Sequence, residues 1–338
     1  MRNNSFLTNF IILYIVFFSL VGCKLEKPRE ENKVRIDQIS INVPEFNADS
    51  AYYFIAKQVG FGPRIPNTPG HLHCGDYLIS KLEKYRAIVK IQEFQQKAYN
   101  GNMLNLRNII ASFYTDKPKR ILLAAHWDTR PIADKDSVRK NSPIDGANDG
   151  GSGVGVLMEV ARIISLSPPN NIGIDIILFD GEDYGEPNSY TFNEMNEPGK
   201  IWWCLGSQYW SKNKHINNYM AYYGVLLDMV GARNARFYKE GGSIQYAKKI
   251  VEKVWKTASN IGYQEYFIQQ DSPGITDDHV FINRDAKIPT INIVEYDPKS
   301  NDSYFGSYHH THADNMDIID KQTLKAVGQT LLHVLYYE

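Results

Sequence analysis

Cysteine is scarce in this chain, at three residues in 338. That excludes a disulfide-built scaffold, and Cys74 and Cys204 leave open whether one pair forms. No C-x-x-C, H-E-x-x-H or zinc-finger spacing occurs. Charge of one sign is also missing: the formal net charge is −1, which argues against nucleic acid or an acidic polymer as partner. There is no internal repeat, and no low-complexity linker after about residue 45. The glycine cluster GANDGGSGVG is neither a dinucleotide fingerprint, because Gly155 falls at the wrong spacing, nor a nucleophile elbow, because Val154 replaces the last glycine.

The one long apolar run is N-terminal. Arg2 leads into FLTNFIILYIVFFSLVGC, about the length of a secretory core. Leu20-Val21-Gly22-Cys23 resembles a bacterial lipobox, which implies cleavage before Cys23 and lipidation of its thiol; an uncleaved membrane anchor is the alternative. Residues 1–22 then read as a lipoprotein signal peptide and 23–45 as a charged tether. Residues 46–338 read as one domain. Either way the domain is expected outside the cytoplasm, on a membrane facing the periplasm or cell surface.

From residue 46 on, buried-type apolar runs alternate with helical patterns. Strands are predicted at 106–114, 120–126, 173–179, 223–229 and 288–294, and helices at 47–59, 75–85, 154–166 and 243–262. Such alternation predicts an α/β three-layer sandwich with a mixed, largely parallel central sheet flanked by helices.

Acids and histidines follow these runs. His126 and Asp128 close the second strand, Glu182 and Asp183 follow the third, and Asp228 ends the fourth. Asp149 sits in the glycine loop, and SYHHTHADN follows the last strand. Ligands of open α/β sheets bind beyond the carboxyl ends of the strands. Carboxylates crowded there repel unless a cation neutralises them, and mixed oxygen and imidazole donors suit zinc. Adjacent Glu182 and Asp183 then divide the labour: one binds metal, the other works as acid and base.

In this order, His126-x-Asp128, Asp149 in GANDGGSG, Glu182-Asp183, Asp228 in LLDMVGA and His310 before Thr311 resemble the site motifs of the M28 family. That family comprises zinc aminopeptidases and glutaminyl cyclases. FGPRIPNTPGH (61–71), TDDHVF (276–281) and FGSYHHTHADNMD (305–317) are similar to its bacterial glutaminyl-peptide cyclotransferases. The resemblance implies one zinc ion on Asp149, Asp183 and His310, with Glu182 as general acid/base. It implies Asp228 and Asp278 as an acidic pair that positions substrate; Asp277 competes, but the resemblance assigns the place directly before His279. His126 and Asp128 would lie near the metal without binding it. Animal cyclases carry Glu-Glu at Glu182-Asp183 and Trp at His309, so Trp202 or Trp203, together with His309, is expected to wall the substrate pocket.

The implied reaction converts the N-terminal Gln of peptides and proteins, and slowly Glu, to pyroglutamate with release of ammonia, by a monomeric enzyme. A dinuclear aminopeptidase would use the same residues, with His126 and Asp228 on a second metal. A non-catalytic binding lipoprotein would tolerate damage to the constellation, and none is visible.

Overall fold

Continuous apolar runs bury a strand on both faces, and here they build the middle of one sheet. The computed structural model describes residues 41–187, 201–300 and 304–338. Cys23 and the segment expected as a signal peptide lie outside them. In chain order the main elements are α1 (Ala48–Val59), α2 (Pro69–Lys84), β1 (Ile88–Lys97), β2 (Met103–Phe113), β3 (Arg120–His126), α3 (Gly151–Leu166), β4 (Gly173–Phe179), α4 (Leu205–Lys212), β5 (Tyr223–Asp228), β6 (Phe237–Glu240), α5 (Gly241–Asn260), β7 (Phe267–Ser272), α6 (Asp278–Phe281), β8 (Thr290–Val294) and α7 (Lys321–Tyr336).

Six strands form the sheet in the order β1-β2-β4-β3-β5-β8. β4, β3, β5 and β8 run parallel, while β1 and β2 add on antiparallel. The expected mixed, largely parallel sheet is therefore present. β3 leads through α3 to β4 on one side, and the chain then returns through α4 to β5 on the other. Strand order thus reverses around β3, where such sheets bind ligands.

Alternate residues of each strand feed opposite layers. Leu123, Ala125, Ile176, Leu178, Val225 and Leu227 face a core built with α1, α2, α3, α5 and α7. Leu122, Ala124, Ile177, Phe179 and Leu226 face the other side, with Trp210, Ile282 and Ile288. Caps set the helix starts. Asn47 accepts from the Ser50 amide, Thr68 precedes Pro69, and Asp320 accepts from the Thr323 amide.

Two expectations need adjustment. Residues 41–45, read as the end of the tether, pack onto α7. There the Gln329 side chain accepts from the Phe46 amide at 2.8 Å and donates to the Pro44 carbonyl at 3.1 Å, and Lys325 pairs with Glu45. The predicted helix at 75–85 starts earlier, at Pro69. Cys74 and Cys204 are both buried and free.

α3 lies so close to β5 that a Cβ on Gly153 would overlap the Leu227 carbonyl oxygen. Gly153→Ala is therefore expected to destabilise the domain by about 2–4 kcal/mol, read by urea unfolding, despite alanine's better helix propensity. An unchanged midpoint would show that α3 can shift.

Candidate active site

The turn after β4 presents two adjacent acids, and a third acid holds it. The Asp128 carboxylate, two residues past β3, accepts the amides of Glu182 at 3.0 Å and Asp183 at 3.2 Å. Gly181 supplies the left-handed residue of the turn, at φ 72°. Across the cleft, Asp314 accepts the amides of Asn148 at 2.7 Å and Asp149 at 3.0 Å. Two buried carboxylates thus fix the backbone that carries Asp149 and Asp183.

His310 completes this set. Its Nε2 lies 3.1 Å from Asp183 Oδ1 and 3.6 Å from Asp149 Oδ2. Ligands about 2.0–2.1 Å from a tetrahedral zinc stand about 3.4 Å apart, and both distances from His310 lie near that value. Asp183 Oδ2 is buried without a hydrogen-bond partner. Burial first, and then the Asp149 charge, push the Asp183 carboxyl well above the usual carboxylate range. That strain disappears beside a divalent cation. Burial lowers His310 to about 4, which keeps the imidazole neutral as a ligand must be. On its far side, Nδ1 faces Asp134 at 3.4 Å, and Arg130 grips Asp134 at 2.6 and 2.8 Å. A carboxylate behind a ligating histidine fixes the ring. No sequence motif marks Arg130 or Asp134.

His309 is near enough to compete, with Nε2 3.8 Å from Asp149 Oδ2. Lys135 Nζ lies 2.8 Å from its Nδ1. An ammonium can only donate, so Nδ1 accepts and the ring proton sits on Nε2. That nitrogen is then no ligand. His309 instead packs at a tilt between Phe305 and His310, with ring centroids 4.2 and 3.7 Å away, and lines the cavity.

His126 Nε2 lies 3.1 Å from Asp149 Oδ1 and 3.2 Å from Asp228 Oδ1. Burial opposes its charge, but Asp128, Asp149 and Asp228 together hold its pKa well above 6.5. It is a buried counter-ion among acids. Among the described residues three groups bring their donor atoms close enough to hold a metal: Asp149, His309 and His310; His126, Asp149 and Asp228; and Glu182, Cys204 and Asp277. The set Asp149, Asp183 and His310 rests instead on the two distances from His310 Nε2.

The structure separates Asp277 from Asp278, and against expectation it is Asp277 that faces the site. Asp277 lines the cavity with Glu182 and Asp228, and its carboxylate accepts from the Asp278 amide and from Asn292 Nδ2, each at 2.5 Å. Asp278 opens α6 and is fully buried; neither of its oxygens makes a hydrogen bond of ordinary geometry, and the Ser207 hydroxyl of α4 is the neighbour that favours its ionised form. As N-cap, Asp277 keeps an extended backbone and projects into the cleft, whereas the first helical residue turns its side chain away. Adjacent identical letters gave no sign of this.

The cavity at this point measures about 30 Å³, room for one ion or water-sized group. Trp203 lines it, parallel to the His310 ring at 6.0 Å and beneath the Arg130 guanidinium at 4.6 Å. Trp202 is partly buried and is not among the lining residues. Met229, Ile275 and Phe305 complete the wall, and no motif marked them.

Carboxylates and one imidazole gathered at the switch point of this sandwich define a zinc-dependent enzyme of the exopeptidase-like fold. Residues 108–335 match peptidase family M28, and the chain belongs to that family. It is 52% identical to the glutaminyl cyclase of Bacteroides thetaiotaomicron, solved with N-acetylhistamine; the match covers 88% of this chain and 100% of that one, at a TM-score of 0.82. A Zn-dependent exopeptidase from Parabacteroides distasonis is equally similar, with 52% identity, the same coverage and a TM-score of 0.83. The glutaminyl-peptide cyclotransferase of Drosophila melanogaster is 23% identical over 286 residues, 77% of this chain and 73% of that protein.

Without a cation, burial and then Asp228 raise Asp277 from 3.8 to about 7, and burial and then Asp277 raise Asp278 to about 8. The folded state then binds more protons than the unfolded state between about pH 4 and 8. Stability is full below about pH 4 and is lost as pH rises through about 8. Metal-free protein should therefore melt at progressively lower temperature from about pH 5 to 8, and zinc should raise Tm most at the upper end. Calorimetry across this range checks both; a flat metal-free profile would remove the repulsion argued here.

Proposed function

We propose that this chain is a glutaminyl-peptide cyclotransferase acting through a single zinc ion. The observation that carries this reading is a set of three candidate ligands, Asp149, Asp183 and His310, with Glu182 beside them and open to the same cavity. The glutaminyl cyclase likeness at 52% identity supports it.

Asp149, Asp183 and His310 would hold the zinc ion, which would supply Lewis-acid polarisation of the γ-amide carbonyl of an N-terminal Gln. Glu182 takes a proton from the α-amine as the nitrogen bonds to the amide carbon. It then returns a proton to the departing ammonia, as the bond from that carbon to the amide nitrogen breaks. Burial, with Asp277, Asp183 and Asp278 nearby, raises the Glu182 pKa well above 4.5, which suits a group that must both take and give a proton. Asp228 and Asp277 offer acceptors for the amine and amide hydrogens, and Trp203 bounds the side chain. Both reacting groups belong to one residue, so proximity supplies much of the rate.

A dinuclear aminopeptidase draws support from one observation, the grouping of His126, Asp149 and Asp228. In the single-zinc reading His126 Nε2 instead bridges Asp149 and Asp228, at 3.1 and 3.2 Å. The lipobox at Leu20–Cys23 supports an exported, membrane-anchored lipoprotein. Mass spectrometry of the mature protein should find a diacylglyceryl group on Cys23, and an intact N-terminus would replace the lipid with an uncleaved membrane anchor.

Zinc-loaded enzyme should release ammonia from a Gln-initiated dipeptide amide and leave the peptide bond intact. Glu182→Gln should lower kcat by about 10³-fold or more. Asp277→Asn should cost about 10²-fold, whereas Asp278→Asn, at a carboxyl already neutral near pH 7, should stay within about threefold. Free Gln among the products would mean an aminopeptidase.

A further inference from the structure

Glu182 is gripped from one further side. Cys204, the residue before α4, is fully buried in a left-handed conformation at φ 57°. Its amide donates to the Glu182 carbonyl at 3.0 Å, and the next amide, of Leu205, donates to Gly181 at 3.1 Å. The start of α4 is thus bound to the turn that carries Glu182. The same residue then reaches the side chain: Cys204 Sγ lies 3.1 Å from Glu182 Oε1. Its own carbonyl accepts from the Gln208 amide at 3.0 Å and the Ser207 hydroxyl at 3.2 Å, which fixes the thiol's place.

We propose that Cys204 is a positioning residue for Glu182: its thiol donates a hydrogen bond to Oε1 and leaves Oε2 as the oxygen that moves the proton. The inference rests on Glu182 being the general acid/base. Burial, and then the charges of Glu182, Asp278 and Asp277, drive the thiol well above its ordinary pKa, so it stays a donor and is no nucleophile. A carboxylate with both oxygens free rotates about its last bond, while one with a bonded oxygen keeps a single orientation. Among the described residues no hydrogen bond joins Asp277 or Asp228 to the Glu182 side chain, whereas Cys204 Sγ meets Oε1 at 3.1 Å.

Cys204→Ser keeps a hydroxyl donor where the thiol stood, and Cys204→Ala removes the donor. With zinc-loaded enzyme and a Gln-initiated peptide, the Ala variant should lose roughly tenfold in kcat with KM changed less than about twofold. The Ser variant should recover to within about threefold of the parent. Zinc content should match the parent in both. If Ala does not fold, Cys204→Gly, which suits the left-handed backbone, is the donor-free comparison. A kcat within about twofold of the parent in the donor-free variant, or a Ser variant as slow as Ala, overturns the proposal. Glu182→Gln runs alongside. If it is inactive while the donor-free variant is fully active, only the role of Cys204 falls. If it keeps its activity, Glu182 leaves the chemistry and Cys204 with it.

Discussion

Repulsion among carboxylates that cannot reach water is the constraint that organises this protein. Asp149, Asp183, Asp228, Asp277 and Asp278 are all buried at one edge of the sheet, with Glu182 among them. Each would cost several kcal/mol if left ionised and unpaired. Among the described residues Arg130, His126 and His279 bring positive charge to this group, Arg130 beside Asp183, His126 between Asp149 and Asp228, and His279 next to Asp277 and Asp278. A divalent ion on Asp149, Asp183 and His310 converts the most expensive part of the cluster into a coordination shell. The remaining acids are held close to neutral and become tools for moving protons.

Backbone amides do as much of this work as charges. Asp128 and Asp314 bind no metal in this reading, yet each collects two consecutive amides and thereby points a ligand. The buried acid is satisfied, and the loop loses its freedom to move. Arg130 acts similarly at the opposite wall, joining Asp134, the carbonyls of Asp183 and Gly185, and the face of Trp203. The turn at Gly181 lets Asp183 point to His310 while Glu182 opens to the cavity and touches Cys204. Two neighbouring acids therefore meet different environments, and environment is what separates a ligand from an acid/base catalyst.

The sandwich was legible because burial on both faces leaves a plain signature. The runs RILLAAH and GIDIILF coincide with β3 and β4 residue for residue. β1 was not legible: it lies at the sheet edge, and its polar, half-exposed side chains carry no such run. The last residues of the expected tether were misread for a related reason, since Pro44 and Glu45 are polar or breaking locally and are held only by Gln329 and Lys325, some 280 positions away.

By itself, the order of residues determined the fold class, the edge of the sheet where chemistry gathers, and the identity of the clustered acids and histidines, because strand ends and residue types are local properties. Tertiary structure alone decided which member of each neighbouring pair faces the site. Asp277 rather than Asp278 enters the cavity because one is a cap and the other a helical residue. His310 rather than His309 turns its Nε2 to both Asp149 and Asp183, while Lys135, far away in the chain, engages the Nδ1 of the other ring. Trp203 rather than Trp202 forms the wall because Arg130 and His310 hold its ring between them. Side-chain direction and the partner across a cleft depend on dihedral angles and distant contacts, and adjacent letters carry neither.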